Sequence, residues 1–393
     1  MIIVDEVRTR AEFASLSTEW GRLLARLPDG SPFDAPAWYG CCLDAEPDRR
    51  LALLAARRDG TLVAVAPWWE SRPRIRGMDA RGIGFITNRE TPRARLVVDP
   101  AEREAAVTAI VRHALGAWRG RWDVLSLAPW PSDAEDLAAL RSAAPSLGIR
   151  VAERRAAIVP AIVIQGSWDE FLATKSYLFR KSRRGIVNRM SRVADVAVER
   201  IRVSPGPSLL DDLARVSRLG WKHRDGVSLA AREDSLRFFA GLNEAASREG
   251  WLDVWVLRIG DTLAAFEYDL EKNGVIDALR AEYDEAHDKI SPGAYLEFFI
   301  LKSAFDEGRR LYSCGPGLDE YKLRWASEER ENVAIRIYGA TPLGRWLEFV
   351  EEVAVPALRS LRDAFARPVA TAGTPVYEKS TEGPAPADPD GPR

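Results

Sequence analysis

Between Leu252 and Tyr283 the chain places three strand-length segments in succession, LDVWVLRIG, DTLAAFEYDL and NGVIDALRAEY, parted only by turn residues. Gly260-Asp261 marks the first turn and Asn273-Gly274 the second. Asn-Gly between apolar runs is a strong hairpin signal, because both residues accept the positive φ of a tight turn. Connections this short leave no room for a crossover, so the three strands must lie antiparallel side by side. The next segments narrow the fold further. A polar, acid-rich stretch leads into SPGAYLEFFILKSAFDEG, a helix from Ser291 to Gly308, and then RRLYSCG, a strand. Ser291 reads as an N-cap, and Pro292 suits the first helical position, where its missing N–H has no intrahelical partner. Gly293 weakens a first turn relative to Ala. Two reasons to tolerate it stay open: a neighbouring strand packed closely on it, or a phosphate resting on the N–H groups of a helix start.

The remaining chain reads as mixed α/β. Helical patterns cover 11–27, 101–119 and 133–147; strands cover 51–70, folded back at Asp59-Gly60, a segment from Asp123, and 156–165. From Gly166 come a helix or helix pair, a strand, and helices near 208–222 and 232–249. Beyond the meander and its helix come a short helix over DEYKLRWASEE, a strand, and a last helix at 342–366. Each half therefore runs as an antiparallel meander followed by helix, strand and helix. That order implies a duplicated α/β (α+β) architecture, with domains at 1–160 and 161–368, each a mixed, mainly antiparallel sheet flanked by helices. Residues 369–393 are rich in Pro, Gly, Ala, Thr and acid, lack hydrophobic periodicity, and read as a disordered tail.

Composition excludes several classes. The chain has 393 residues, a net charge of −2 and a pI near 6.1, which argues against a DNA-coating surface. Cys41, Cys42 and Cys314 are too few for a disulfide framework and fit a reducing cytoplasm. His113, His223 and His287 are scattered, without metal-ligand spacing. The N-terminus lacks a signal-peptide pattern and no apolar run reaches membrane-spanning length.

The ordering of the second half resembles a specific family. Tyr283 and Asp284 end a strand, Pro292 and Gly293 open a helix that closes at Gly308, and Gly317, Tyr321 and Lys322 form a Gly-x-x-x-Tyr-Lys segment. This is similar to the GNAT-fold acetyltransferases of the CelD/BcsL type, relatives of the FemAB aminoacyl transferases. FDAPAWYGCCLD and VAPWWESRPRIRG resemble that family's N-terminal half. One departure stands out: Ser313 follows Tyr312 where the family usually carries an aspartate. The resemblance implies an acyltransferase that moves an acyl group, acetyl by default, from acyl-CoA to an amine or hydroxyl on a small molecule, sugar or cell-envelope precursor. Aminoacyl-tRNA, the donor of the FemAB relatives, is the alternative, and a non-catalytic binding protein a second. It also implies that coenzyme pyrophosphate rests on the helix start at Ser291, Pro292, Gly293 and Ala294. Lys289 would add charge, and Tyr283 would end a strand whose free edge, Ala278 to Tyr283, takes the pantetheine arm.

Acyl transfer needs a base for the acceptor and an acid near the leaving thiolate. Glu267 and Asp269 stand two apart in AAFEYDL and so share one strand face. They are either solvated or paired with an arginine, or they act as base and acceptor contact. Asp277 and Glu282 are weaker candidates of the same kind. Tyr321 could protonate the thiolate, with Lys322 beside it, and Trp221-Lys222 could line the acceptor pocket; each could equally be structural. The run from Lys175 to Arg192, including Arg180 and Arg184, contains no acid and calls for an anionic partner: coenzyme phosphates, an acidic lipid, a polysaccharide or tRNA.

Overall fold

The computed structural model describes residues 1–204 and 206–358; the tail expected at 369–393 and the helix expected to run on past 358 to 366 lie outside the described residues. Residues 1–347 form one compact unit, and the chain from Glu348 a second, of which 348–358 are helical.

The spine of the first unit is a ten-stranded sheet. In spatial order its strands are Val196–Ile201, Leu252–Ile259, Thr262–Lys272, Val275–Tyr283, Leu311–Ser313, Ala152–Val163, Glu328–Tyr338, Val124–Pro131, Gly82–Phe85 and Trp68–Ser71. A second, four-stranded sheet of Ile2–Val7, Leu53–Arg58, Thr61–Ala66 and Val97–Val98 meets the edge of the first through a bridge between Leu51 and Trp69. The meander between Leu252 and Tyr283 is antiparallel as its turns require, with Asn273 at φ 53° and Gly274 at 75°. Asp59 and Gly60 make the same kind of turn in the smaller sheet.

Parallel pairing occurs at two places in the large sheet, once in each half. Val275–Tyr283 pairs with Leu311–Ser313 across the helix Pro292–Asp306, and Gly82–Phe85 pairs with Val124–Pro131 across the helix Arg103–Gly116. This recurrence is what the repeated element order implied. The halves are also interlaced. Ala152–Val163 reaches over to Leu311–Ser313, and Glu328–Tyr338 reaches back to Val124–Pro131. Backbone hydrogen bonds therefore run unbroken from one half to the other.

The two faces of the meander bury different things. Val254, Val256, Phe266, Tyr268 and Leu270 face one core, which also holds Trp20, Trp38, Phe238 and Phe239. Trp255, Leu257 and Ala265 face the other, under Ile300, Leu301 and Ala304 of the helix Pro292–Asp306. Glu267 and Asp269 fall on this second face, in register with Trp255 and Asp253 of the neighbouring strand. Asp253 is neutralised there by the Arg200 guanidinium at 2.5 and 2.8 Å. A bulge between Tyr268 and Asp269 breaks the register with Val275–Tyr283, a device that bends a strand and re-aims its side chains.

Candidate active site

The parallel pairing of Val275–Tyr283 with Leu311–Ser313 stops at Asp277 and Ser313. Beyond it the two strands diverge, and a cleft of about 750 Å³ opens between them. Its walls include the helix start at Gly293, the short helix Glu320–Trp325, the Gly220–Lys222 segment, and residues 89–92 of the first half. The last of these is held by a bidentate pair, Arg280 to Glu90 at 2.8 and 2.5 Å.

Gly293 has a direct structural reason. A Cβ there would lie 3.3 Å from Cδ1 of the Tyr283 ring, so the missing side chain lets that ring pack on the first turn. Ser291 does not cap the helix as its sequence context suggests. It sits in the left-handed region at φ 56°, a conformation that aims its hydroxyl away from the first turn, and its side chain makes no capping bond. Its Oγ instead accepts from Arg189 at 3.4 Å. Pro292 is buried, while Gly293 and Ala294 line the cleft at an end that carries no side-chain cap. Amides at such an end can receive an anion.

The strand edge expected to be free is partly taken. Lys222 Nζ donates to the Ala281 carbonyl at 2.8 Å, and Gly220 lies against the Tyr283 carbonyl. Lys222 is therefore a cleft residue tied to the strand backbone, and burial pulls its pKa down. Trp221 is exposed at the cleft.

Acid–base capacity in the cleft rests on carboxylates. None of the three histidines lines it. Cys314 does, but burial pushes its thiol up to about 12, so it holds its proton at neutral pH and is a poor nucleophile. Glu267 reaches the cleft from the strand, accepts a hydrogen bond from the Tyr312 hydroxyl, and is pushed by burial up to about 7. Asp269 lies behind it, fully buried. No donor from another side chain or the backbone reaches either of its oxygens. Burial, and then the neighbouring Glu267, raise its pKa far above the ordinary carboxylate value. Two carboxyls so close share one proton more readily than both ionise.

Glu297 was not singled out from the sequence. It stands one turn beyond Gly293 on the same helix face, lines the cleft, and is pushed by burial up to about 8, with the Glu267 charge adding to the effect. Its signal is the lone acid in AYLEFFIL, an otherwise apolar stretch. Arg183 was visible only as one member of the basic run. It lines the cleft with its guanidinium over the Phe179 and Trp325 rings, and its buried Nε has no partner.

The other candidates divide clearly. Tyr321 lines the cleft half-exposed, its hydroxyl pKa raised by burial and then by Glu297. Lys322 lines it too, with Nζ on the Pro316 carbonyl at 2.8 Å and 3.2 Å from Asp319. Glu282 faces the cleft, buried, and accepts from the Leu229 amide at 2.8 Å. Asp277 is not brought to the cleft: Arg93 grips it at 2.6 and 3.0 Å beside a second cavity of about 580 Å³. Ser313, in register with Asp277, lines that second cavity, so Asp277 supplies a carboxylate in the layer where the expected aspartate is missing. Lys289, Arg180 and Arg184 also stay off the cleft walls. Lys289 is exposed on the turn Glu285–Ile290, Arg180 bonds the Ala173 carbonyl at 2.9 Å, and Arg184 points to solvent. Among the described residues there is no group of acids, histidines or cysteines that could hold a metal ion, and no helix long and apolar enough to cross a membrane.

Comparison with known proteins agrees with this geometry. No curated protein matches the sequence. Among solved structures, FemX aligns at 12% identity with a TM-score of 0.60, covering 88% of this chain and 100% of its own. The C-terminal domain of a lysylphosphatidylglycerol synthetase described as putative, from Agrobacterium fabrum, aligns at 12% identity and TM-score 0.54, covering 90% and 96%. L-PGS from Bacillus licheniformis aligns at 12% identity and TM-score 0.55, covering 85% and 94%. Identities this low speak for the fold alone. The acetyltransferase (GNAT) domain model matches residues 180–323, the segment that holds the diverging strands, the helix start and the buried carboxylates. Residues 180–323 are thus similar to the acetyltransferase (GNAT) domain family, and the chain shares the fold of FemX.

Proposed function

We propose that the cleft binds an acyl-CoA, acetyl-CoA by default, and passes its acyl group to an amine or hydroxyl of a small molecule, sugar or envelope precursor. The observation that carries this reading is the uncapped helix start at Gly293 and Ala294, opening into the cleft where the two strands part. The coenzyme pyrophosphate rests on these amides, and Arg183 supplies the nearby positive charge. Glu267, with its proton affinity near neutrality, takes the acceptor's proton; Glu297 and the Tyr321 hydroxyl are the groups able to return one to the thiolate. Trp221 and Lys222 flank the acceptor.

Thermal-shift titration with acetyl-CoA, longer acyl-CoAs and free CoA tests the donor, because a ligand of the folded state raises the melting temperature. Gly293→Glu puts a negative charge on the helix start, and Gly293→Ala controls for crowding of the Tyr283 ring. The expected result is a saturable shift with CoA species that Gly293→Ala largely keeps and Gly293→Glu abolishes. Silence toward every CoA species, with a salt-sensitive shift on charged tRNA, would give the donor role to aminoacyl-tRNA.

A further inference from the structure

The helix Tyr177–Met190 carries its cations in two different settings. Phe179, Arg183, Ile186 and Met190 recur at helical spacing and turn inward, with Ile186 and Met190 buried and Phe179 edge-on to Trp325 at 4.7 Å. Lys181, Arg184 and Arg189 point outward, followed by Arg192, also exposed. No carboxylate pairs with any of these four among the described residues, and the segment from Lys175 to Ala194 contains no acid. Elsewhere on the surface arginines stand against acids, as in Arg141–Glu153 and Arg237–Glu233. The outward face is also not purely polar. Tyr177 is 61% exposed and Leu178 is 75% exposed at its first turn. Trp325 ties this helix to the short helix Glu320–Trp325, near which Leu318 stands 58% exposed and Leu323 is exposed as well.

Uncompensated cations interleaved with exposed leucines fit one kind of partner. Phosphates satisfy the cations in either a nucleic acid or a lipid surface. Only a bilayer also offers an apolar phase to Leu178 and Leu318. We propose that this face docks on an anionic membrane surface, with the cations among the headgroups and Tyr177, Leu178, Leu318 and Leu323 dipping below them. Arg183 and Tyr321 line the cleft from the same two helices, so docking brings the cleft mouth to the lipid interface. Docking of this kind does not depend on which acyl donor the cleft takes.

The test is co-sedimentation of the full chain with vesicles of phosphatidylcholine alone and of phosphatidylcholine with phosphatidylglycerol, beside binding of unfractionated tRNA. Binding is expected to the phosphatidylglycerol vesicles only, and to weaken with salt. Lys181→Glu/Arg184→Glu/Arg189→Glu should lower it roughly a hundredfold or more. Leu178→Ser/Leu318→Ser, which leaves the charge alone, should lower it about tenfold. All of these side chains are exposed, and thermal melts confirm that each variant is folded. Failure of the wild-type chain to sediment with phosphatidylglycerol vesicles would overturn the proposal. So would sedimentation that the triple variant keeps, or capture of tRNA through the same cations while vesicles stay unbound.

Discussion

Glu267→Gln is expected to slow acyl transfer by about 10²–10⁴-fold, the usual worth of a positioned base, and to make the protein more stable at pH 8. The two effects share one cause. The folded protein holds the Glu267 proton up to about pH 7, whereas the ordinary value is 4.5. Between those values the folded state binds more protons than the unfolded one, so stability falls as pH rises through this window. Above pH 7 the full cost of an ionised, buried carboxylate is present, about 3 kcal/mol for a gap of this size. Gln keeps the shape and an oxygen for the Tyr312 hydroxyl, but carries no charge to desolvate. Urea unfolding at pH 8 should therefore show the variant ahead by up to about 3 kcal/mol, and the difference should shrink toward nothing at pH 4.5. In the wild type kcat/KM should rise with pH through about 7, and in the variant that limb should flatten. A Gln variant no more stable at pH 8 than the wild type would mean that Glu267 is not held against its ionisation, and its assignment as base would lose its physical ground.

How much of the molecule was legible in the sequence depended on the range of the forces involved. The meander was readable because its turns are written in adjacent residues: Asn273 and Gly274 accept the φ values that a two-residue hairpin demands. Glu267 and Asp269 were readable because the strand period is two, so a pair of acids in AAFEYDL must share a face whatever lies opposite. Glu297 was harder. A lone acid in an apolar helix faces either water or a cleft, and only the divergence of two strands decides which. The basic run shows the same limit. Arg180, Arg183 and Arg184 are chemically equivalent in sequence, and the inward phase set by Phe179, Ile186 and Met190 selects Arg183 for the cleft. Ser291 misled because Ser-Pro is an ordinary helix opening; the turn Glu285–Ile290 ahead of it forces the left-handed backbone that spoils the cap. The interlacing of Ala152–Val163 with Leu311–Ser313 left no local trace, since strand partners so distant are chosen by the whole sheet.

Arg93→Ala is expected to destabilise the fold by about 3–5 kcal/mol, although Arg93 is part of neither the base nor the helix start. Asp277 is buried in the last paired layer before the strands diverge, and both of its oxygens are held by the Arg93 guanidinium, which also lies 4.6 Å over the Phe33 ring. Removing the arginine leaves a carboxylate with no counter-charge in a place water reaches poorly. The cost comes from that orphaned charge more than from the lost attraction. Arg93→Met/Asp277→Leu should therefore recover much of the loss, because an apolar pair of similar volume has no charge to desolvate. Arg93→Lys should fall between them, since a point ammonium cannot reproduce the two-pronged grip. Chemical denaturation of the three variants decides the matter. If Arg93→Ala costs less than about 1 kcal/mol, the pair is an ordinary surface contact. If the double variant is the least stable, the attraction itself joins this loop of the first half to the strand that opens the cleft, and the cleft's geometry then rests on that ion pair rather than on the sheet alone.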